Sequence, residues 1–151
     1  FSINLPELTR HFVLCYTGIP RNSGVNNWEI TKKAVDGNRA VIGNLKSIRA
    51  CAIEMEQALS RGQIESIARV FAREWKARKK LAPNISTPQM DQLFRSAMRK
   101  GAMAGKVCGA GGGGCIAFIV PPAKKKSIIE ELTSNGGKVL PFHFVSRGLR
   151  H

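Results

Sequence analysis

Five of the six residues from Gly109 to Gly114 are glycine, and an apolar run, Cys115 to Val120, follows them directly. Glycine loses more backbone freedom on folding than any other residue, so a run this dense requires backbone angles or close approaches that a Cβ would forbid. Two glycines would suffice for a turn. The segment therefore reads as a connection between two extended pieces: a short strand over Ala104 to Cys108 and a second over Cys115 to Val120.

Two familiar glycine motifs do not fit. Gly109, Gly111 and Gly114 satisfy GxGxxG, but the dinucleotide fingerprint needs a helix after the glycines, and here an apolar strand follows. The GxxxxGK[ST] phosphate loop fails because Cys115 and Ile116 stand where Lys and Ser or Thr are required. Two readings of the loop stay open. One is a flexible hairpin in which glycine tolerates positive φ; the other is a main-chain surface whose amides meet an anion where any Cβ would clash.

Around this hairpin the chain alternates between the two periodicities. His11 to Tyr16 reads as a buried strand closed by Thr17-Gly18, and Ile19 to Asn27 as a polar connector. A helix is expected between Asn27 and Asp36, stopped by Gly37. Val41, Leu45, Ile48, Ala52, Met55 and Leu59 then line one face of a second helix ending at Gly62. A third carries Ile64, Ile67, Phe71, Trp75 and Leu81 inward and ends before Pro83. Thr87 as N-cap and Pro88 at the first position announce a fourth, with Met90, Leu93, Phe94, Ala97 and Met98 on its inner face. Beyond the hairpin, Pro122 opens a helix through Leu132, and Lys138 to Val145 reads as a last strand, held to a sheet edge or bulge by Pro141. The order predicts one α+β domain over residues 1–151, a ferredoxin-like βαββαβ sandwich with extra helices inserted in the first crossover.

Composition narrows the partners. The 24 Lys and Arg against 10 Asp and Glu give a net charge of +14, concentrated after residue 60, and such a field favours polyanions: nucleic acid, phosphorylated metabolites or acidic surfaces. The longest apolar run has six residues, far short of the roughly 20 that span a bilayer as a helix, so no membrane partner is expected. The four cysteines form no CxxC pair, and His11, His143 and His151 form no HxxxH pair. We expect reduced thiols, no metal site and a cytoplasmic protein. The chain starts at Phe1 without a secretory signal pattern, which predicts a processed or excised piece.

The segment Lys106 to Phe118, KVCGAGGGGCIAF, resembles the third conserved motif of the GHMP small-molecule kinases, the group containing galactokinase, homoserine kinase and mevalonate kinase. Tyr16 to Ser23, Glu74-Trp75-Lys76 to Lys80, Ile85-Ser86 and Gly137 to Phe144 resemble the sugar-kinase branch that includes the D-glycero-D-manno-heptose 7-phosphate kinases. The match runs from about Phe12 to Leu149. It implies the C-terminal domain of a two-domain kinase that takes ATP and Mg2+ mainly through an N-terminal domain absent from this chain. It also implies a sugar or sugar phosphate as substrate and leaves a homodimer open. By the same resemblance Lys106, Gly109, Ala110, Gly111, Gly112, Gly113 and Gly114 form a loop near the transferred phosphate, and Thr17 and Arg21 lie near the sugar. No catalytic residue and no metal ligand is expected within the chain, so the isolated chain should bind weakly and not turn over.

Two alternatives compete with that expectation. A basic ferredoxin-like sheet could bind RNA, but such sheets stack bases on exposed aromatics, and the strands here lack the K/R-G-F/Y-G/A-F-V-x-F/Y pattern. A dimerisation or regulatory domain without catalysis is the other.

Overall fold

In the computed structural model, which describes residues 4–20 and 23–146 and the side chains of all of these except 23–26, four strands form one antiparallel sheet. They are β1 (Phe12–Tyr16), β2 (Ala104–Val107), β3 (Cys115–Ile119) and β4 (Lys138–Leu140), in the order β2, β3, β1, β4 across the sheet. The helices are α1 (Leu5–Arg10), α2 (Ser23–Val35), α3 (Arg39–Ser60), α4 (Ile64–Arg78), α5 (Pro88–Arg99) and α6 (Lys125–Ser134). From β1 onward this is the βαββαβ arrangement read from the sequence, with α2 to α5 lying in the first crossover.

Strand alternation sorts the core into two layers. Val13, Cys15, Ile116 and Phe118 pack with Leu93 and Ala97 of α5 and with Ile128 and Leu132 of α6. On the other side Phe12, Ala104 and Ile119 meet Leu8 of α1, Ala58 of α3 and Ile67 and Ala68 of α4. Each large side chain buried this way contributes roughly 1.5–3 kcal/mol. α4 packs along β2, and its Trp75 stacks on Phe94 of α5 with ring centres 5.2 Å apart and planes 7° from parallel. That stack ties the inserted helices to the edge of the sheet.

Capping residues act as their types dictate. Thr87 Oγ1 accepts from the Met90 N–H at 3.2 Å and starts α5, while Asn38 Oδ1 accepts from Val41 N–H at 3.0 Å and starts α3.

Several boundaries differ from the sequence reading. β4 stops at Leu140 because Pro141 has no N–H to continue the ladder; Phe142 and Phe144 leave the sheet and pack on Phe12 and one another instead. It does lie at the sheet edge, as Pro141 required. The helix after Pro122 begins as a 3-10 turn and becomes α-helical only from Lys125. Of the stripe assigned to α3, Val41 is buried and Ile48, Met55 and Leu59 pack half-buried against the core, but Leu45 and Ala52 face outward, and the other buried contacts come from Cys51 and Ala58. Small residues at those two positions let α3 and α4 approach closely, which a tally of large apolar residues does not register. Met98, assigned to the inner face of α5, is 45% exposed.

Candidate functional site

β2 and β3 pair in register from Ala104↔Ile119 to Val107↔Ile116, and the Cys108 N–H donates to Cys115 O at 2.8 Å to close the hairpin. All five glycines of the intervening loop have positive φ: 85° at Gly109, 82° at Gly111, 76° at Gly112, 144° at Gly113 and 79° at Gly114. An L-residue pays about 1–2 kcal/mol for each such conformation, which accounts for the composition of the run.

The loop is not draped in solvent. Gly111 and Gly113 are buried, and the backbone is fastened to two other segments. Gly112 N–H donates to Ile85 O at 3.0 Å, in the 3-10 turn Pro83–Ile85 that precedes α5. Gly114 N–H donates to Ile19 O at 2.9 Å, and Thr17 N–H donates back to Gly114 O at 2.9 Å. A Cβ on Gly111 would lie 2.6 Å from Ile85 O, and one on Gly113 would lie 2.7 Å from Ile19 O. At these two positions the close approach is thus made by the domain's own main chain. Three parts of the chain far apart in sequence, residues 17–20, Ile85 and residues 109–114, therefore meet. The N–H groups of Gly109, Ala110, Gly111 and Gly113 find no acceptor among the described residues.

The individual candidates sit as follows. Gly109 is exposed; Ala110, Gly112 and Gly114 are half-buried. Lys106 is half-buried on β2, with its Nζ 3.0 Å from Glu74 Oε2 and 5.6 Å from the centre of the Phe71 ring. Thr17 is 2% exposed, and its hydroxyl accepts from Ile19 N–H at 3.4 Å within its own turn. Thr17 is thus beside the loop through its backbone, with its side chain turned inward. Arg21 lies outside the described residues.

Glu74 and Arg78 were assigned no role from the sequence. Glu74 is buried at 6% exposure, with Arg78 Nε 2.6 Å from its Oε1. The signal was present: Glu74 is three residues after Phe71 and four before Arg78, on the edge of the apolar stripe of α4, in a helix otherwise crowded with Lys and Arg.

Among the described residues no cluster of three or more His, Cys, Asp or Glu could hold a metal ion, and no helix is long and apolar enough to cross a membrane. A cavity of about 650 Å³ lies elsewhere. It opens between α1, α3, α4 and the 142–146 segment and is lined by side chains such as Phe12, Met55, Phe71, Phe142 and Phe144. Its lining is almost wholly apolar and contains none of the candidate residues, so it offers little to a phosphate or a sugar.

Comparison with known proteins gives concordant matches. The profile described as GHMP kinases C terminal matches residues 55–138. The D-glycero-alpha-D-manno-heptose 7-phosphate kinase of Campylobacter jejuni is 31% identical over 144 residues, which cover 95% of this chain and 42% of that protein. Among solved structures, a Listeria innocua protein superposes with a TM-score of 0.79 at 26% identity, over 87% of this chain and 38% of its own. Streptococcus pneumoniae phosphomevalonate kinase, solved with phosphomevalonate and AMPPNP, shares the fold with a TM-score of 0.74 at 23% identity, over 88% and 39%. The chain spans about two fifths of the length of these relatives.

Proposed function

The chain belongs to the GHMP kinase family as a C-terminal domain of that family, and we propose that it is this half of an ATP-dependent sugar or sugar-phosphate kinase. In this reading an N-terminal domain of the same polypeptide carries the nucleotide, and loop 109–114 closes over the phosphate being transferred to a sugar hydroxyl.

The observation that carries the reading is the division of labour within the loop. Gly112 and Gly114 spend their N–H groups on Ile85 and Ile19, while Gly109, Ala110, Gly111 and Gly113 keep theirs without acceptors among the described residues. Amides fixed in advance of the reaction stabilise developing negative charge without reorganising, and phosphoryl transfer depends mainly on positioning and charge neutralisation. Lys106 adds a cation on the strand leading in. Thr17 holds the turn that leads to Arg21, whose guanidinium would grip a sugar phosphate through two parallel hydrogen bonds. A sugar phosphate as acceptor is supported by the Campylobacter relative's name.

The acid–base and metal chemistry belongs to the other domain in this reading. The described residues do not fit Mg2+, because no acidic cluster is available among them and Glu74 is already paired with two cations. A cytoplasmic setting suits the four cysteines, which form no disulfide among the described residues.

The test is phosphoryl transfer from ATP to D-glycero-D-manno-heptose 7-phosphate, followed as ADP release by the full-length polypeptide and by the isolated 1–151 chain. Turnover is expected only from the former. In the full-length protein Gly112→Val should lower kcat roughly 100-fold or more. Its φ of 76° should cost about 1–2 kcal/mol of stability. Wild-type turnover by a folded Gly112→Val protein would remove the loop from the reaction.

A further inference from the structure

The backbone bonds that seat the glycine loop act on its second half, at Gly112 and Gly114. Its first half is reached differently. Arg78, at the end of α4, extends Nη1 to Gly109 O at 3.5 Å, long for a hydrogen bond but directed at the loop's first residue. The same guanidinium is held by Glu74, with Nε 2.6 Å and Nη2 2.5 Å from Oε1. The other carboxylate oxygen lies 3.0 Å from Lys106 Nζ, three residues before Gly109, as an ion pair without hydrogen-bond alignment. One buried carboxylate thus fixes two cations, one reaching Gly109 O and one on the strand that leads into the loop.

Stability is a poor reason for this arrangement. Burying a carboxylate with two partners costs desolvation that its Coulomb attraction roughly repays, and apolar side chains of the same volume commonly pack at least as well. What an apolar residue would not supply is direction. Without Glu74, the long side chains of Arg78 and Lys106, each about a quarter exposed, would be free to turn toward water. The pair with its shared carboxylate also leaves one net positive charge beside Gly109.

We propose that Glu74 is the positioning residue of the glycine loop: it aims Arg78 at the Gly109 carbonyl and pins Lys106 to the end of β2, and so orients the amides of residues 109–111. This rests on the reading that those amides meet the transferred phosphate. The effect on the reaction is indirect, through Arg78.

The experiment compares wild type, Glu74→Gln and Arg78→Lys in the full-length kinase. It measures NMR order parameters of the 109–111 amides together with kcat and KM for both substrates. Gln keeps the shape but loses the charge; Lys keeps the charge but cannot hold Glu74 and Gly109 at once. Both variants should show lower order parameters at 109–111 with unchanged values at Gly112 and Gly114. Both should also lose roughly 10–100-fold in kcat, with sugar KM within about twofold. Glu74→Asp, which restores the charge, should recover part of the loss. Unchanged order parameters at 109–111 in both variants would overturn the positioning role itself. Lower order parameters with wild-type kcat would instead uphold the positioning and overturn the reading of the loop as phosphate-facing. Should Glu74→Gln fail to fold, Arg78→Lys alone gives the same readouts, because the Arg78 side chain is a quarter exposed and lysine keeps its charge.

Discussion

The amide of Gly112 and the carbonyl of Ile85 are 3.0 Å apart, although they lie 27 positions apart in the chain. That bond seats a loop of positive-φ glycines on the turn that introduces α5, and it makes neighbouring glycines unequal. Gly111→Ala combines a φ of 82° with a Cβ only 2.6 Å from Ile85 O, an immovable main-chain atom. We expect it to cost about 2–4 kcal/mol. Gly43, within α3, has ordinary helical φ and open space where a Cβ would stand, so Gly43→Ala should stabilise by roughly 0.5–1 kcal/mol. Urea unfolding of the two variants checks the pair; equal effects would mean the loop is not seated as described.

Cys15 provides an alkaline prediction. Burial, reinforced by the nearby Cys115, pushes its thiol up to about 11 from an ordinary value near 9.0. The unfolded chain therefore releases this proton at lower pH than the folded one. Stability contributed by the neutral thiol is present below pH 9 and is lost as pH rises toward 11, by at most about 2–3 kcal/mol. Cys15→Ala should flatten the slope of the urea midpoint between pH 9 and 11 while lowering stability at every pH. Parallel slopes in the two proteins would contradict the assignment.

Glu131 gives the acid counterpart. Hydrogen bonding from Arg99, with Lys100 beside it, holds its carboxyl below the usual carboxylate range. The folded state then prefers the ionised form, so its stabilisation is present above the unfolded value of about 4.5 and disappears as pH falls through and below it. Thermal midpoints of Glu131→Gln should converge on wild type as pH drops from 6 to 3, and added salt should shrink the gap at pH 6. A gap unchanged at pH 3 would assign the effect to packing.

What could be read beforehand was whatever depends on local chemistry. The hairpin around the glycines, the start of α5 at Thr87-Pro88 and the edge position of β4 each follow from one or two residues whose backbone options are few. α1 was missed because Leu5–Arg10 is too short to display a helical period, and its start depends on Asn4 Oδ1 accepting from Glu7 N–H. The i,i+4 pairing of Glu74 with Arg78 is legible within α4, but its second cation is not, because that requires Lys106, 32 positions away, to arrive on β2. Equally, nothing in the glycine run itself says that its nearest neighbours are carbonyls 19 and 85. Long-range pairing of main chain leaves no compositional trace.

That last point bears on how such a domain tolerates change. The acceptors that fasten the loop, Ile19 O and Ile85 O, are present whatever side chain stands there, so substitution at either residue leaves the fastening chemistry in place. Altering the length of either connector would not. A single deletion before residue 85 or after residue 17 would slide the carbonyl out of reach, and lineages of this domain should therefore hold the spacing of these two turns constant while identity drifts at half-buried Ile19 and stays apolar at Ile85, whose side chain is buried in the core.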